Sequence, residues 1–364
     1  MSICAFSPIL LSFYCVFLPL IVTFTLYYNQ KNNCTLVVPV SISCKKRKLV
    51  LPVSQKRKGI IEEMEKTKLI AASLSIFDGN NQINDTEMIH LWNKLVKEGA
   101  DGIFIGGSVG ECFLLKDSER IHMFEGAARF AASAERPLDL YAHVGALSTD
   151  EAIEMALAAK SAGIHHIAST PPFYFSLSRK EVAHYYYDLA SAINDSVLYY
   201  DIPSSTHIDL NTDDPDIQSL LKSGVISAIK HTNLQSYRVN KIKSLNPDIT
   251  IFGGFESRVI PMMGYHCNGF IGSTFNFMLP QYRKIIEVYN SPQSSKVYRM
   301  VQDTTSVLNV LLDVGLPAAI KYILSSRYGI QAGEVRRPLL PLTAESKKKI
   351  DNILDQKLFD VTLL

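Results

Sequence analysis

From Lys68 onward the chain alternates short apolar runs with longer stretches in which apolar residues recur every three or four positions. The runs fall at 69–74, 102–106, 138–143, 166–170, 197–201, 225–230, 249–253 and 269–273. Each is five or six residues long and nearly free of polar interruption, as strands buried on both faces are. Between them, 85–98, 118–134, 149–162, 179–193 and 213–221 carry helical spacing. This alternation predicts βαβ units and a parallel sheet. Eight runs within about 205 residues predict a closed (β/α)8 TIM barrel over 66–280. An open dinucleotide-binding sheet would place a Gly-rich turn after its first strand. This chain has Ser75-Ile76-Phe77-Asp78 there instead. Beyond 280 strand signals stop, and 281–289, 295–312, 316–326 and 344–358 read as a C-terminal helical extension over 281–364.

The first 65 residues follow no such pattern. Residues 1–30 hold no charged side chain, and 9–28 match the roughly 20 apolar residues that span a bilayer. A basic linker, 31–65, follows. The segment reads as a membrane anchor that leaves the body cytoplasmic, because the basic residues follow the apolar stretch. A cleaved targeting segment and a gene-model artefact are the alternatives. The former lacks a basic n-region and a clear small-x-small cleavage site.

Composition sharpens this division. The 364 residues are 47% hydrophobic and carry a net charge of +2, which excludes a disordered or collagen-like chain and gives no basis for a nucleic-acid partner. Yet residues 1–60 hold eight Lys/Arg and no Asp or Glu, leaving 29 basic and 35 acidic residues in the rest, a net of −6. Cys4, Cys15, Cys34 and Cys44 lie in the front, with only Cys112 and Cys267 in the body. Two distant cysteines form no disulfide framework or C-x-x-C metal pair, so the body reads as reduced and intracellular. His165-His166 would point to opposite faces of a strand and make a poor metal pair.

A barrel concentrates its chemistry at the C-terminal ends of its strands. The sixth run ends in Lys230, and a lysine at an apolar-walled mouth can attack a carbonyl to form a Schiff base. The fifth places Tyr200 at the neighbouring mouth, where a phenol could move a proton. After the second comes Gly106-Gly107-Ser108-Val109-Gly110-Glu111, whose glycines would let backbone N–H groups and a hydroxyl converge on an anion such as a carboxylate. Taken singly, the lysine and the tyrosine read better as structure, a snorkelling side chain and a rim tyrosine, and a plain turn is the rival reading of the glycine stretch.

Together, these motifs resemble the N-acetylneuraminate lyase / dihydrodipicolinate synthase family of class I aldolases, nearest its N-acetylneuraminate lyase branch. Tyr141-Ala142-His143-Val144-Gly145, Thr170-Pro171-Pro172-Phe173-Tyr174, Tyr200-Asp201-Ile202-Pro203, Ile229-Lys230 and Gly269-Phe270-Ile271-Gly272-Ser273-Thr274 extend the likeness over 66–364 and none of 1–65. The resemblance implies a homotetrameric barrel using no metal or organic cofactor, only a covalent imine on Lys230. It implies reversible cleavage of N-acetylneuraminate (sialic acid), a keto-acid sugar, to pyruvate and N-acetylmannosamine. Tyr200 would move the proton, Ser108 and the Val109 backbone would hold the pyruvate carboxylate, and Ser108 would relay to Tyr200. Tyr174 would enter a neighbouring subunit, and Thr232, Gly254, Glu256, Ser257 and Ser273 would face the sugar.

The departures from the family pattern bear on substrate. Val109 replaces a usual threonine, His207 a usual glycine, and Ser257 an acidic residue common near the glycerol tail. Ser205 stands where the dihydrodipicolinate synthase branch has its carboxylate-clamping arginine, which disfavours that branch. Another pyruvate-dependent aldolase or dehydratase acting on a different 2-keto-3-deoxy acid, or a non-catalytic membrane-tethered barrel, are the alternatives.

Overall fold

A computed structural model of the chain describes residues 67–291 and 294–357, together with two short strands, Val22–Thr23 and Ser41–Ile42, that pair antiparallel. The chain divides into two units, Met1–Glu62 and Glu63–Leu364. Apart from those two strands, the expected anchor over 9–28 and the basic linker lie outside the described residues.

The second unit is built on eight parallel strands: β1 (Lys68–Ala72), β2 (Gly102–Ile105), β3 (Asp139–His143), β4 (His166–Ser169), β5 (Val197–Asp201), β6 (Ile226–His231), β7 (Thr250–Gly253) and β8 (Gly269–Gly272). Each pairs with the next, and β8 returns to β1 with Phe270 opposite Leu69, so the sheet closes into the expected barrel. Closure leaves no open edge.

Outside the barrel run α1 (Asp85–Lys97), α2 (Asp117–Ala132), α3 (Thr149–Ser161), α4 (Arg179–Ile193), α5 (Pro215–Lys222), α6 (Arg238–Leu245) and α7 (Val259–Gly264). Their starts are written in the sequence. Asn84, Ser148 and Asp214 accept the first free backbone N–H groups of α1, α3 and α5, and Ser178 forms a reciprocal capping box with Glu181 on α4.

The extension comprises α8 (Phe275–Tyr289), α9 (Val297–Val314), α10 (Leu316–Tyr328) and α11 (Ala344–Lys357). Helix α8 starts six residues before the expected 281. Pro280 lies inside it, and Met278, at φ −119°, absorbs the missing backbone hydrogen bond as a kink. Gly315, at φ +103°, lets α10 leave α9 at 114°, with no intervening loop. Among the described residues no single helix is long and apolar enough to cross a membrane.

Candidate active site at the barrel mouth

Lys230 and Tyr200 are register partners at the ends of β6 and β5. Both are buried. Lys230 Nζ lies 4.1 Å from the centroid of the Tyr200 ring and 4.3 Å from that of Phe104, which β2 supplies. Phe104 and Tyr200 meet edge-on at 5.8 Å, and the His143 ring of β3 lies 5.7 Å from Tyr200. Strands β2, β3 and β5 include non-neighbours, so these contacts can only be made across the barrel interior. The lysine therefore stands upright in an aromatic-walled shaft. Among the described residues it makes no ion pair.

The loop after β2 folds as two successive tight turns, Ser108–Gly110 and Cys112–Leu114. Ser108 is exposed at the mouth, and its Oγ lies 3.4 Å from Tyr200 Oη; Val109 is buried. Gly107 has to be glycine, because a Cβ there would press on the Phe104 ring at 2.8 Å. The turn thus brings a hydroxyl to the phenol whose ring lies against the amine.

His143 was quoted within a motif but given no task by sequence reasoning. Its Nδ1 contacts Gly106 O at 2.8 Å, and Thr170 N–H donates to its Nε2 at 3.3 Å, a pattern that only the neutral Nδ1–H tautomer satisfies. Burial holds its pKa well below the ordinary histidine value, reinforced by the positive charges of Arg120 and Lys230. It therefore laces the ends of β2, β3 and β4 together as an uncharged bridge. Arg120, also buried, donates to the carbonyls of His143 at 2.7 Å and Gly145 at 3.0 Å. Burial raises the Cys112 thiol to about 11, so this cysteine is no nucleophile at neutral pH.

On the opposite rim, Glu256 is buried and its Oε1 accepts from Ser273 Oγ, Thr274 N–H and Thr274 Oγ1 at 2.8, 2.8 and 3.1 Å. Thr232 Oγ1 is buried with no hydrogen-bond partner among the described residues. Gly254 sits against it so closely that any Cβ would overlap that oxygen. Ser257 is half-buried in the turn that carries Glu256. Thr232, Gly254, Glu256, Ser257 and Ser273 thus follow strands β6, β7 and β8, on one side of the mouth.

Tyr174 is 76% exposed and packs edge-on against Phe175, outside the shaft of its own chain. His207 adopts φ +55°, the left-handed conformation glycine reaches without strain. Two cavities lie elsewhere. A polar groove of about 950 Å³ runs between the loop after β1 and residues 331–337, and a pocket of about 250 Å³ opens beside Tyr141, His166 and Ala228, lower in the barrel than Lys230. Neither includes Lys230 or Tyr200.

A closed parallel barrel, with a buried lysine and tyrosine in register at the ends of neighbouring strands, defines a (β/α)8 barrel protein. The chain belongs to the dihydrodipicolinate synthetase family, whose model matches residues 65–357, and it has that family's pyruvate-dependent aldolase fold. Among solved structures it is similar to CdNal from Clostridium difficile in complex with mannosamine, at 27% identity over 80% of this chain and 99% of that one, with a TM-score of 0.74. It also matches N-acetylneuraminate lyase from Fusobacterium nucleatum, at 23% identity over 81% and 99% of the chains, with a TM-score of 0.72. A dihydrodipicolinate synthase from Bacillus anthracis fits equally well in shape, at 21% identity, 80% and 98% coverage and a TM-score of 0.75. Shape alone therefore does not separate the branches.

Proposed function

We propose that this chain is a Schiff-base lyase that cleaves N-acetylneuraminate reversibly to pyruvate and N-acetylmannosamine. The observation that carries the reading is the Lys230–Tyr200 contact beside the Ser108–Gly110 turn. The unprotonated Lys230 amine attacks the C2 ketone of the open-chain acid, and loss of water leaves a protonated imine. The C3–C4 bond then breaks, its electron pair flowing into the imine to give an enamine. Tyr200 Oη relays the C4 hydroxyl proton, with Ser108 Oγ the next oxygen along. Protonation at C3 and hydrolysis of the imine release pyruvate and restore the amine. The turn holds the carboxylate through Ser108 and the Val109 N–H and so fixes the plane of the imine.

On the sugar side, the free Thr232 hydroxyl and the Glu256–Ser273 pair offer acceptors and donors to substrate hydroxyls. The exposed Tyr174 suits a homotetramer in which it enters a neighbouring copy. The 27%-identical relative in complex with mannosamine supports an amino-sugar product. Ser257 favours a second reading, a shorter 2-keto-3-deoxy acid, because no acidic side chain stands there to bind a glycerol tail. Pyruvate release from N-acetylneuraminate and from 2-keto-3-deoxygluconate, measured side by side, decides between them. Faster turnover of N-acetylneuraminate is expected; turnover of only the shorter acid would contradict the proposal.

A further inference from the structure

The carboxylate-holding turn ends in a residue the mechanism does not use. Glu111, directly after Gly110, is buried at φ +59°, a left-handed conformation unfavourable for a residue with a side chain. Its carboxylate is gripped wholly from the helical extension. Lys321 Nζ, on α10 and itself buried, pairs with Oε1 at 2.7 Å, and the backbone N–H of Arg336 donates to Oε2 at 2.7 Å. Lys321 is held in turn by Glu334 O at 2.9 Å and lies 4.0 Å over the Phe77 ring, against which the Arg336 guanidinium also packs at 4.3 Å. The Arg336 side chain donates to Leu114 O, in the next stretch of the same loop, and to Glu119 at the start of α2. A buried ion pair is weak evidence for stability, because desolvation offsets most of its attraction. It is a good device for fixing one backbone geometry.

We infer that Glu111 and Lys321 are positioning residues for the substrate carboxylate: the helical extension sets the orientation of the Ser108–Gly110 turn through this buried pair. The inference rests on the aldolase reading, in which that turn binds the carboxylate. Without the pair, Glu111 keeps only the Arg336 N–H contact and the backbone bonds of its own turn, and the Ser108 hydroxyl and Val109 N–H lose their aim. Lys230 and Tyr200 stand on other strands and keep theirs.

The double variant E111Q/K321M removes both charges together, so no unpaired buried charge remains. Imine formation is read by borohydride trapping with pyruvate, and with acetone, which offers the carbonyl without the carboxylate. The pyruvate concentration that half-saturates trapping should rise roughly tenfold to a hundredfold. Trapping at saturating pyruvate, and trapping of acetone, should stay near wild type. An unchanged half-saturation, or an equal loss with both probes, would overturn the inference. If the double variant does not fold, the wild-type chain decides. Trapped pyruvate should slow backbone hydrogen exchange in 316–337 more than in α3, and equal slowing would overturn it. Absence of any pyruvate adduct on Lys230 in the wild type would refute the aldolase reading instead.

Discussion

At the scale of single residues, function here is a matter of which groups face the same few ångströms. Lys230 and Tyr200 were legible in the sequence because strand ends in a barrel share one mouth, so a terminal lysine and a terminal tyrosine must meet there. Tyr200→Phe keeps the ring against Lys230 and removes only the proton relay. It should lower cleavage about 10²–10⁴-fold while leaving the pyruvate adduct on Lys230 detectable, as trapping and steady-state rates would show together. His143 was not legible. Nothing in Tyr141-Ala142-His143 says that its ring will find Gly106 O and Thr170 N–H on the two flanking strands. Its depressed pKa carries a signed consequence. The unfolded chain binds a proton at this histidine below about pH 6.5 and the folded chain does not, so stability is lost as pH falls below that value. Urea unfolding at pH 7.5 and 5.5 should show His143→Asn losing less stability than wild type over that interval, by up to about 1.4 kcal/mol per pH unit. An equal loss would mean that His143 is charged in the fold.

At the scale of elements, the strands announced themselves because a strand buried on both faces can be nearly nothing but apolar. All eight lie within a few residues of their expected positions. The helices that escaped notice did so for local reasons. Helix α6 buries only Val239 and Ile242 in a run dominated by Arg, Asn and Lys, and α7 is six residues long and contains Pro261. Helix α8 runs through Pro280, a residue that normally ends a helix, by kinking at Met278. That helix matters to the barrel. Its Arg283 donates to Thr67 O, Gly99 O and Asp101 Oδ2 at 3.2, 2.8 and 2.7 Å, and Asp101 also accepts from Leu69 N–H. The extension is thereby tied to the starts of β1 and β2, at the end of the barrel away from Lys230. Arg283→Met should cost about 1–3 kcal/mol in chemical denaturation and leave imine trapping per folded molecule unchanged. A loss of trapping with unchanged stability would contradict this division of labour.

At the scale of the whole molecule, the helical extension is part of how the barrel mouth is built, and this was the least legible feature of all. Glu111 and Lys321 are 210 positions apart in the sequence, and no local pattern links them. The same holds for Arg336 and Glu119, whose bidentate contact locks residues 331–337 onto the start of α2. Hydrogen bonding to Arg336 holds the Glu119 carboxyl below the usual carboxylate range. Its contribution is therefore complete above the ordinary glutamate value of about 4.3 and is lost as pH falls through the lowered one. Acid unfolding of Glu119→Gln should be less steep than that of wild type below about pH 4, and identical profiles would show that the contact adds nothing.

All three scales meet at one nitrogen. Incubation of the chain with pyruvate, reduction with sodium borohydride and peptide mass mapping ask directly whether Lys230 forms the imine. The expected result is one pyruvate-derived modification, on Lys230, formed also when N-acetylneuraminate replaces pyruvate, and abolished in Lys230→Ala. An unmodified Lys230, or an adduct spread over surface lysines and retained in Lys230→Ala, would contradict the account.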